Sequence, residues 1–210
     1  MQKISILILI FTSLTAACYA KSKITKAKIE LKTSSSPQKQ GWKKVGDQSF
    51  MKGKRSWIFI DESTSDNIAY KYTISDEIAK LSKKGFELSV TVKISPENAA
   101  NSLDLSIGGR RVFFNMSCDG KSQNVGLWDY FKQKTVNAKS KDIKKFHTYT
   151  LKYLPKSGAK LSLDGKVIED NIELGHSELN YISIGGTHVL AKERTGKIEV
   201  KKLVFKTVKK

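Results

Sequence analysis

The chain has 210 residues, with 38 Lys+Arg against 20 Asp+Glu and a net charge of +18. A chain of this length buries a sizeable core without disulfides. Two cysteines and three histidines exclude a disulfide framework and leave little for a Cys/His zinc site.

Residues 1–20, MQKISILILIFTSLTAACYA, have the layout of a secretory leader: Lys3, an apolar run from Ile4 to Leu14, then small residues. The run is about 11 residues, short of the roughly 20 a membrane-spanning helix needs. Cleavage after Ala20 predicts a secreted or periplasmic protein with no transmembrane segment. Thr15-Ala16-Ala17-Cys18 also reads as a lipobox, which predicts a lipid anchor on Cys18 at the cell envelope. Residues 21–40 read as a basic Ser/Lys-rich linker, in which Lys23-Ile24, Lys28-Ile29 and Leu31 can make a short edge strand. Residues 41–210 read as one domain. Cys118 reads as a small buried hydrophobe.

The charge is concentrated early: residues 21–56 hold 11 Lys/Arg and 2 acids. Such a field suits a polyanion at low salt. Of the 38 basic residues, however, 34 are lysine and four are arginine, and specific carboxylate or phosphate recognition favours the guanidinium fork. Much of the charge therefore reads as a solvated surface, and nucleic acid is not an expected partner.

In chain order, period-two patterning predicts strands at residues 57–60, 69–74, 86–94, 103–107, 111–116, 181–184, 197–200 and 203–208. FELSVTVKI, residues 86–94, is the clearest. Gly108-Gly109, Asp119-Gly120, Asp164-Gly165 and Gly185-Gly186 read as tight turns between strands. One short helix is predicted over residues 75–84, with Ser75 as its cap, Asp76 and Glu77 in the first turn, and Gly85 at its end. HTYTLKYLPKSGAKLSLDG, residues 147–165, reads as a hairpin: Tyr149, Leu151 and Tyr153 share a face and pack on Leu161 and Leu163, and Asp164-Gly165 reverses the chain. Strands in this number with one helix predict an all-β, two-sheet antiparallel β-sandwich.

Four segments carry a resemblance: WIFIDESTSDNIAYKYTI, KKGFELSVTVKI, FHTYTLKYLPKSGAKLSLDG, and YISIGG with RTGKIEVKKLVF. Their order resembles the concanavalin A-like lectin/glucanase jelly roll, and within it laminin-G-like and sialidase-associated lectin modules, over roughly residues 57–206. The resemblance implies a jelly-roll sandwich with carbohydrate as partner. In some relatives it also implies calcium, for which Asp61, Asp66 and Asp104 are the candidates, although their spacing fits no calcium loop. No other cofactor is expected.

Glycan hydrolysis needs two carboxylates about 5–10 Å apart on one face. Asp61-Glu62, Asp76-Glu77 and Glu169-Asp170 are adjacent pairs, which a strand points to opposite faces. There is no Asp-box, G-x-S-x-G, P-loop or H-E-x-x-H, and no enzyme activity is expected. Binding chemistry has better material. Trp128 and Tyr130 in GLWDYF, with Asp129 between them, form either a stacking platform for a sugar or a core plug. Arg110 and Arg111 follow Gly108-Gly109, and one of the two must face outward; with Arg194 they can grip a carboxylate or sulfate. Asn115-Met116-Ser117 is an N-glycosylation sequon, and its apolar strand predicts that Asn115 is not exposed. The expectation is an exported, non-catalytic carbohydrate-binding module. The alternatives are a structural or adhesive surface protein held to anionic polymers by its basic surface, and a divergent glycoside hydrolase.

Overall fold

The computed structural model describes residues 27–46, 49–61, 68–95, 102–186 and 196–208. The leader with Cys18, and Glu62, Asp66 and Arg194, lie outside the described residues. The strands are β1 (Lys28–Leu31), β2 (Lys43–Val45), β3 (Ser49–Lys52), β4 (Trp57–Asp61), β5 (Ile68–Thr73), β6 (Phe86–Ile94), β7 (Ser102–Ile107) and β8 (Gly109–Cys118). They continue with β9 (Gln123–Asp129), β10 (Lys134–Ser140), β11 (His147–Leu154), β12 (Gly158–Leu163), β13 (Lys166–Ile172), β14 (Gly175–Ser177), β15 (Tyr181–Gly186) and β16 (Gly196–Thr207). Helix α1 spans Asp76–Ser82.

These strands form two antiparallel sheets of eight. Sheet A runs β13-β12-β11-β6-β16-β4-β3, with β1 also on β16. Sheet B runs β10-β9-β8-β7-β15-β5-β2, with β14 also on β8. The protein is therefore a β-sandwich, as the patterning predicts. Its core follows from alternation. Phe86, Leu88, Val90, Val92 and Ile94 of β6 are fully buried, while Glu87, Ser89, Thr91 and Lys93 lie on the wetter face. Sheet B supplies Leu103, Leu105, Ile107, Val112, Phe114 and Met116 to the same cluster. Each such side chain contributes about 1.5–3 kcal/mol by leaving water. On the outer face of sheet A, Ser89 bonds Thr150 at 3.1 Å and Thr91 bonds Thr148 at 2.9 Å, so the wet face is a hydroxyl ladder.

The predicted hairpin forms, as β11 and β12. Tyr149, Leu151 and Tyr153 lie opposite Leu163, Leu161 and Ala159. The Ser157 N–H donates to the Leu154 carbonyl at 3.1 Å, and Gly158 takes φ +67° to rejoin the ladder. Asp164 at φ +48° and Gly165 at φ +84° make the two-residue turn that matches strand twist.

Several expectations are corrected. Residues 197–200 and 203–208 belong to one strand, β16, with a bulge between Val200 and Lys202. That bulge divides its edge: Gly196–Val200 pairs with β4, and the stretch after it pairs with β1. The edge strand expected within the basic segment does form, as β1, with Ile29 and Leu31 buried beside β16. Gly185-Gly186 is no turn; it continues β15 opposite Ala69 and Ile68. Ser75 occupies the helix N-cap but makes no capping side-chain bond. Asn115 is exposed, because β8 turns alternate residues to its outer face. Cys118, by contrast, is buried as expected and is a free thiol.

Candidate functional site

Strand β7 lies inside sheet B and is buried on both faces. Leu103, Leu105 and Ile107 enter the core; Ser102, Asp104 and Ser106 lie on the outer face and are nonetheless almost inaccessible. A buried carboxylate needs partners, and Asp104 has two. The Arg111 guanidinium of β8 donates from Nη2 to Oδ2 at 2.9 Å and from Nε to Oδ1 at 3.3 Å. The Tyr181 hydroxyl of β15 donates to Oδ2 at 2.7 Å. The bond to Asp104 holds the Arg111 pKa above its ordinary value against the opposing effect of burial. Burial first, and the hydrogen bond to Asp104 second, raise that of Tyr181. Lys71 Nζ stands 4.1 Å from the Tyr181 ring centre and closes the row. Asp104 is thus committed to a guanidinium and a phenol. Among the described residues no group of three or more His, Cys, Asp or Glu is placed to hold a metal ion.

The aromatic segment lies beside this row. In β9, Val125 and Leu127 enter the core, so Trp128 faces outward, opposite Thr135 of β10. It is 39% exposed, which rules out the core-plug reading. Continuing the β8–β9 register past Phe114 opposite Leu127 sets Phe113 opposite Trp128. Gly126 and the Asn124–Asn137 pair, bonded at 2.9 Å, flank the indole along the same face.

Tyr130 and Phe131 follow on a loop built by Asp129. The Asp129 carboxylate is buried, and its Oδ1 accepts the N–H groups of Phe131 at 3.0 Å and Lys132 at 3.1 Å. The Tyr130 N–H donates to the Glu173 carbonyl at 3.0 Å, which ties the loop to the segment before β14. Asp129 is therefore scaffold, not a contact for a ligand. The hydroxyl end of the Tyr130 ring lies against Gly175, where an added Cβ would sit 2.7 Å from ring carbons. Gly175 in turn pairs with Arg111.

The two arginines diverge, as alternation requires. Arg111 joins Trp128 and Tyr130 on the outer face. Arg110 points toward the inter-sheet space at the strand end, its guanidinium 5.5 Å from the Tyr153 ring centre of β11. The four predicted binding residues therefore form two places, an outer face with Trp128, Tyr130 and Arg111, and a rim cleft with Arg110.

Patterning missed one further cluster. His147 at the start of β11 is buried, with Nδ1 2.7 Å from Asp164 Oδ2 and Nε2 2.9 Å from the Asp142 carbonyl and 2.8 Å from Ser140 Oγ. The same Asp142 carbonyl accepts from Gln123 Nε2 at 2.9 Å, while Gln123 Oε1 accepts the Ile94 N–H at 2.6 Å. Gln123 so ties the loop before His147 to both sheets. Burial works to lower the His147 pKa, but its bonds to Asp164 and to the Asp142 carbonyl outweigh this and raise it. The signal in the sequence was the histidine and the Asp-Gly at opposite ends of one hairpin; their contact needs the β11–β12 register.

No family model matches the chain, and no curated protein matches it. Solved structures do. A conserved carbohydrate esterase from Shiga toxin-encoding bacteriophage phi24B aligns with TM-score 0.63 and 15% identity, over 86% of this chain and 98% of its own. A sialidase aligns with TM-score 0.61 and 11% identity, over 85% of this chain and 18% of its own. Botulinum neurotoxin type C, whose cell entry depends on interaction with two ganglioside molecules, aligns with TM-score 0.52 and 12% identity, over 78% of this chain and 42% of its own. At these identities the likeness shows the fold.

Proposed function

We propose that the protein is an exported, non-catalytic module that binds carbohydrate chains on the outer face of sheet B. The observation that carries this is Trp128, held on a strand with its indole outward, on the same sheet face as the bonded Asn124–Asn137 pair. Aromatic faces stack on the apolar faces of sugars, and fixed polar groups set orientation. The lectin-like strand order, and solved neighbours that include a carbohydrate esterase and a ganglioside-dependent toxin, support the reading.

The magnitude decides what kind of ligand suits it. A tryptophan buries roughly 150–250 Å² in full, so 39% exposure leaves about 60–100 Å² to cover. That is worth about 1.5–2.5 kcal/mol. One such platform does not hold a free monosaccharide tightly. It suits a polysaccharide or glycan chain that adds contacts along Tyr130 and Arg111.

The test is binding of the purified protein to neutral, sialylated and sulfated glycans at low and high salt, with W128A beside the wild type. Salt-resistant binding lost in W128A is expected, with unchanged thermal unfolding. Binding confined to acidic glycans and lost at high salt would assign the interaction to the +18 surface instead.

A second reading has one observation in its favour. Ser140, His147 and Asp164 are connected as nucleophile, base and orienting carboxylate are in serine hydrolases. A general base needs a free lone pair on Nε2, whereas here Nε2 also faces the Asp142 carbonyl at 2.9 Å, which calls for a proton on it. The geometry favours an imidazolium clamp. Ester hydrolysis by the wild type that disappears in S140A would establish the hydrolase.

A further inference from the structure

At the rim of the sandwich, between the β11–β12 turn and the segment joining β13 to β14, lies a cleft of about 330 Å³. None of Trp128, Tyr130 and Arg111 lines it. Its size falls at the small end of ligand sites, about 300–1,000 Å³, and suits a single sugar unit.

The cleft's chemistry is set by Arg110. The guanidinium carbon stands over the Tyr153 ring, 5.5 Å from its centre, a cation–π contact that holds the group at the cleft wall. Among the described residues no carboxylate lies within ion-pair distance of Arg110, whereas Arg111, next in sequence, is paired with Asp104. A half-buried guanidinium with no counter-ion among the described residues is poised for an anion. Lys156 adds a second positive charge to the wall and Glu173 a negative one, so the lining stays net positive. Phe131 stands at the mouth with 78% of its surface exposed, although Asp129 holds its backbone in a defined turn. An exposed ring on an ordered loop beside that cation matches what an anionic sugar presents: an apolar ring face and a charged edge.

We propose that this rim cleft binds one carboxylate-bearing sugar residue, the carboxylate on the Arg110 fork, the sugar face on Phe131, and hydroxyls on Asn171 and Glu173. A planar carboxylate matches the planar fork through two parallel bonds, which favours it over a sulfate. The proposal rests on the carbohydrate reading and narrows it: outer-face platform for the chain, rim cleft for an acidic residue.

The experiment titrates the full protein with methyl glucuronide, methyl glucoside and methyl glucoside 6-sulfate at physiological ionic strength, followed by two-dimensional NMR. The glucuronide is expected to bind at least about tenfold more tightly than the glucoside. R110Q is expected to remove that preference. R110K, which keeps the charge without the fork, should restore less than half of it. K160Q, a neutralised surface lysine of sheet A, controls for net charge, and thermal unfolding of each variant confirms the fold. An unchanged preference in R110Q, or full rescue by R110K, overturns the proposal. An equal response to the 6-sulfate overturns the carboxylate assignment. If glycan chains bind while the glucuronide does not, the cleft fails and the outer-face reading stands; if neither binds, both fail.

Discussion

Replacing His147 with glutamine tests the clamp that joins the hairpin to the preceding loop. The imidazolium makes one bond to the Asp164 carboxylate and one to the Asp142 carbonyl, at 2.7 and 2.9 Å. Bonds to charged groups contribute about 1.5–3 kcal/mol. The Asp164 side chain is 50% exposed, so solvent screening brings that bond toward the ~1 kcal/mol of a surface pair. With the part-buried Asp142 bond the loss comes to about 2 kcal/mol, or about 4–8 °C in melting temperature for a chain of this size. The pH dependence is the sharper readout. The His147 pKa is raised above its ordinary 6.5, so its charge stabilises the fold fully below about pH 6.5, and that stabilisation is lost as pH rises through the raised value. The Asp164 pKa is lowered: burial works to raise it, but the Thr148 N–H and His147 outweigh that. Its stabilisation is present above 3.8 and lost as pH falls through the lowered value. Thermal unfolding of wild type and H147Q by circular dichroism, at about pH 5, 7 and 9, should show the widest gap at pH 5 and the narrowest at pH 9. A gap that stays constant or widens with pH would refute the imidazolium and favour a neutral histidine accepting from Ser140.

Two further changes probe other parts of the argument. Gly175→Ala places a methyl group 2.7 Å from the Tyr130 ring; the ring must move, at about 1–3 kcal/mol, and glycan affinity should fall with the Trp128 resonances unshifted. Unaltered affinity would remove Tyr130 from the site. A chain starting at Gly41 lacks β1, and with it the burial of Ile29 and Leu31 and the Gln38–Tyr70 bond. Its urea midpoint should drop by the equivalent of about 3 kcal/mol or more, and an unchanged midpoint would make β1 an accessory.

What local pattern dictates, the sequence showed. FELSVTVKI is a strand because its apolar residues recur every second position, and the structure buries those five completely. The 147–165 hairpin is legible for the same reason, reinforced by an Asp-Gly whose backbone tolerates the left-handed turn. Strands β2, β3, β9, β10, β13 and β14 were not legible. β13 is a sheet edge with exposed Val167 and Ile168, and β10 alternates lysine and asparagine with two buried residues, so their periodicity is weak.

The candidate sites divide the same way. Residue type singled out Trp128, Tyr130, Arg110 and Arg111 as material for recognition. Tertiary structure alone decided that Trp128 faces out, that Arg111 is committed to Asp104, and that Arg110 stands at the rim over Tyr153. The reason is that each outcome depends on pairing between segments distant in sequence. Arg111 meets Asp104 because β7 and β8 pair in one register, and Arg110 meets Tyr153 because two sheets close on each other. A single-residue slip would exchange the roles of the two arginines. Alternation along a strand fixes which residues share a face, and only the packing of the sheets fixes which face is wet.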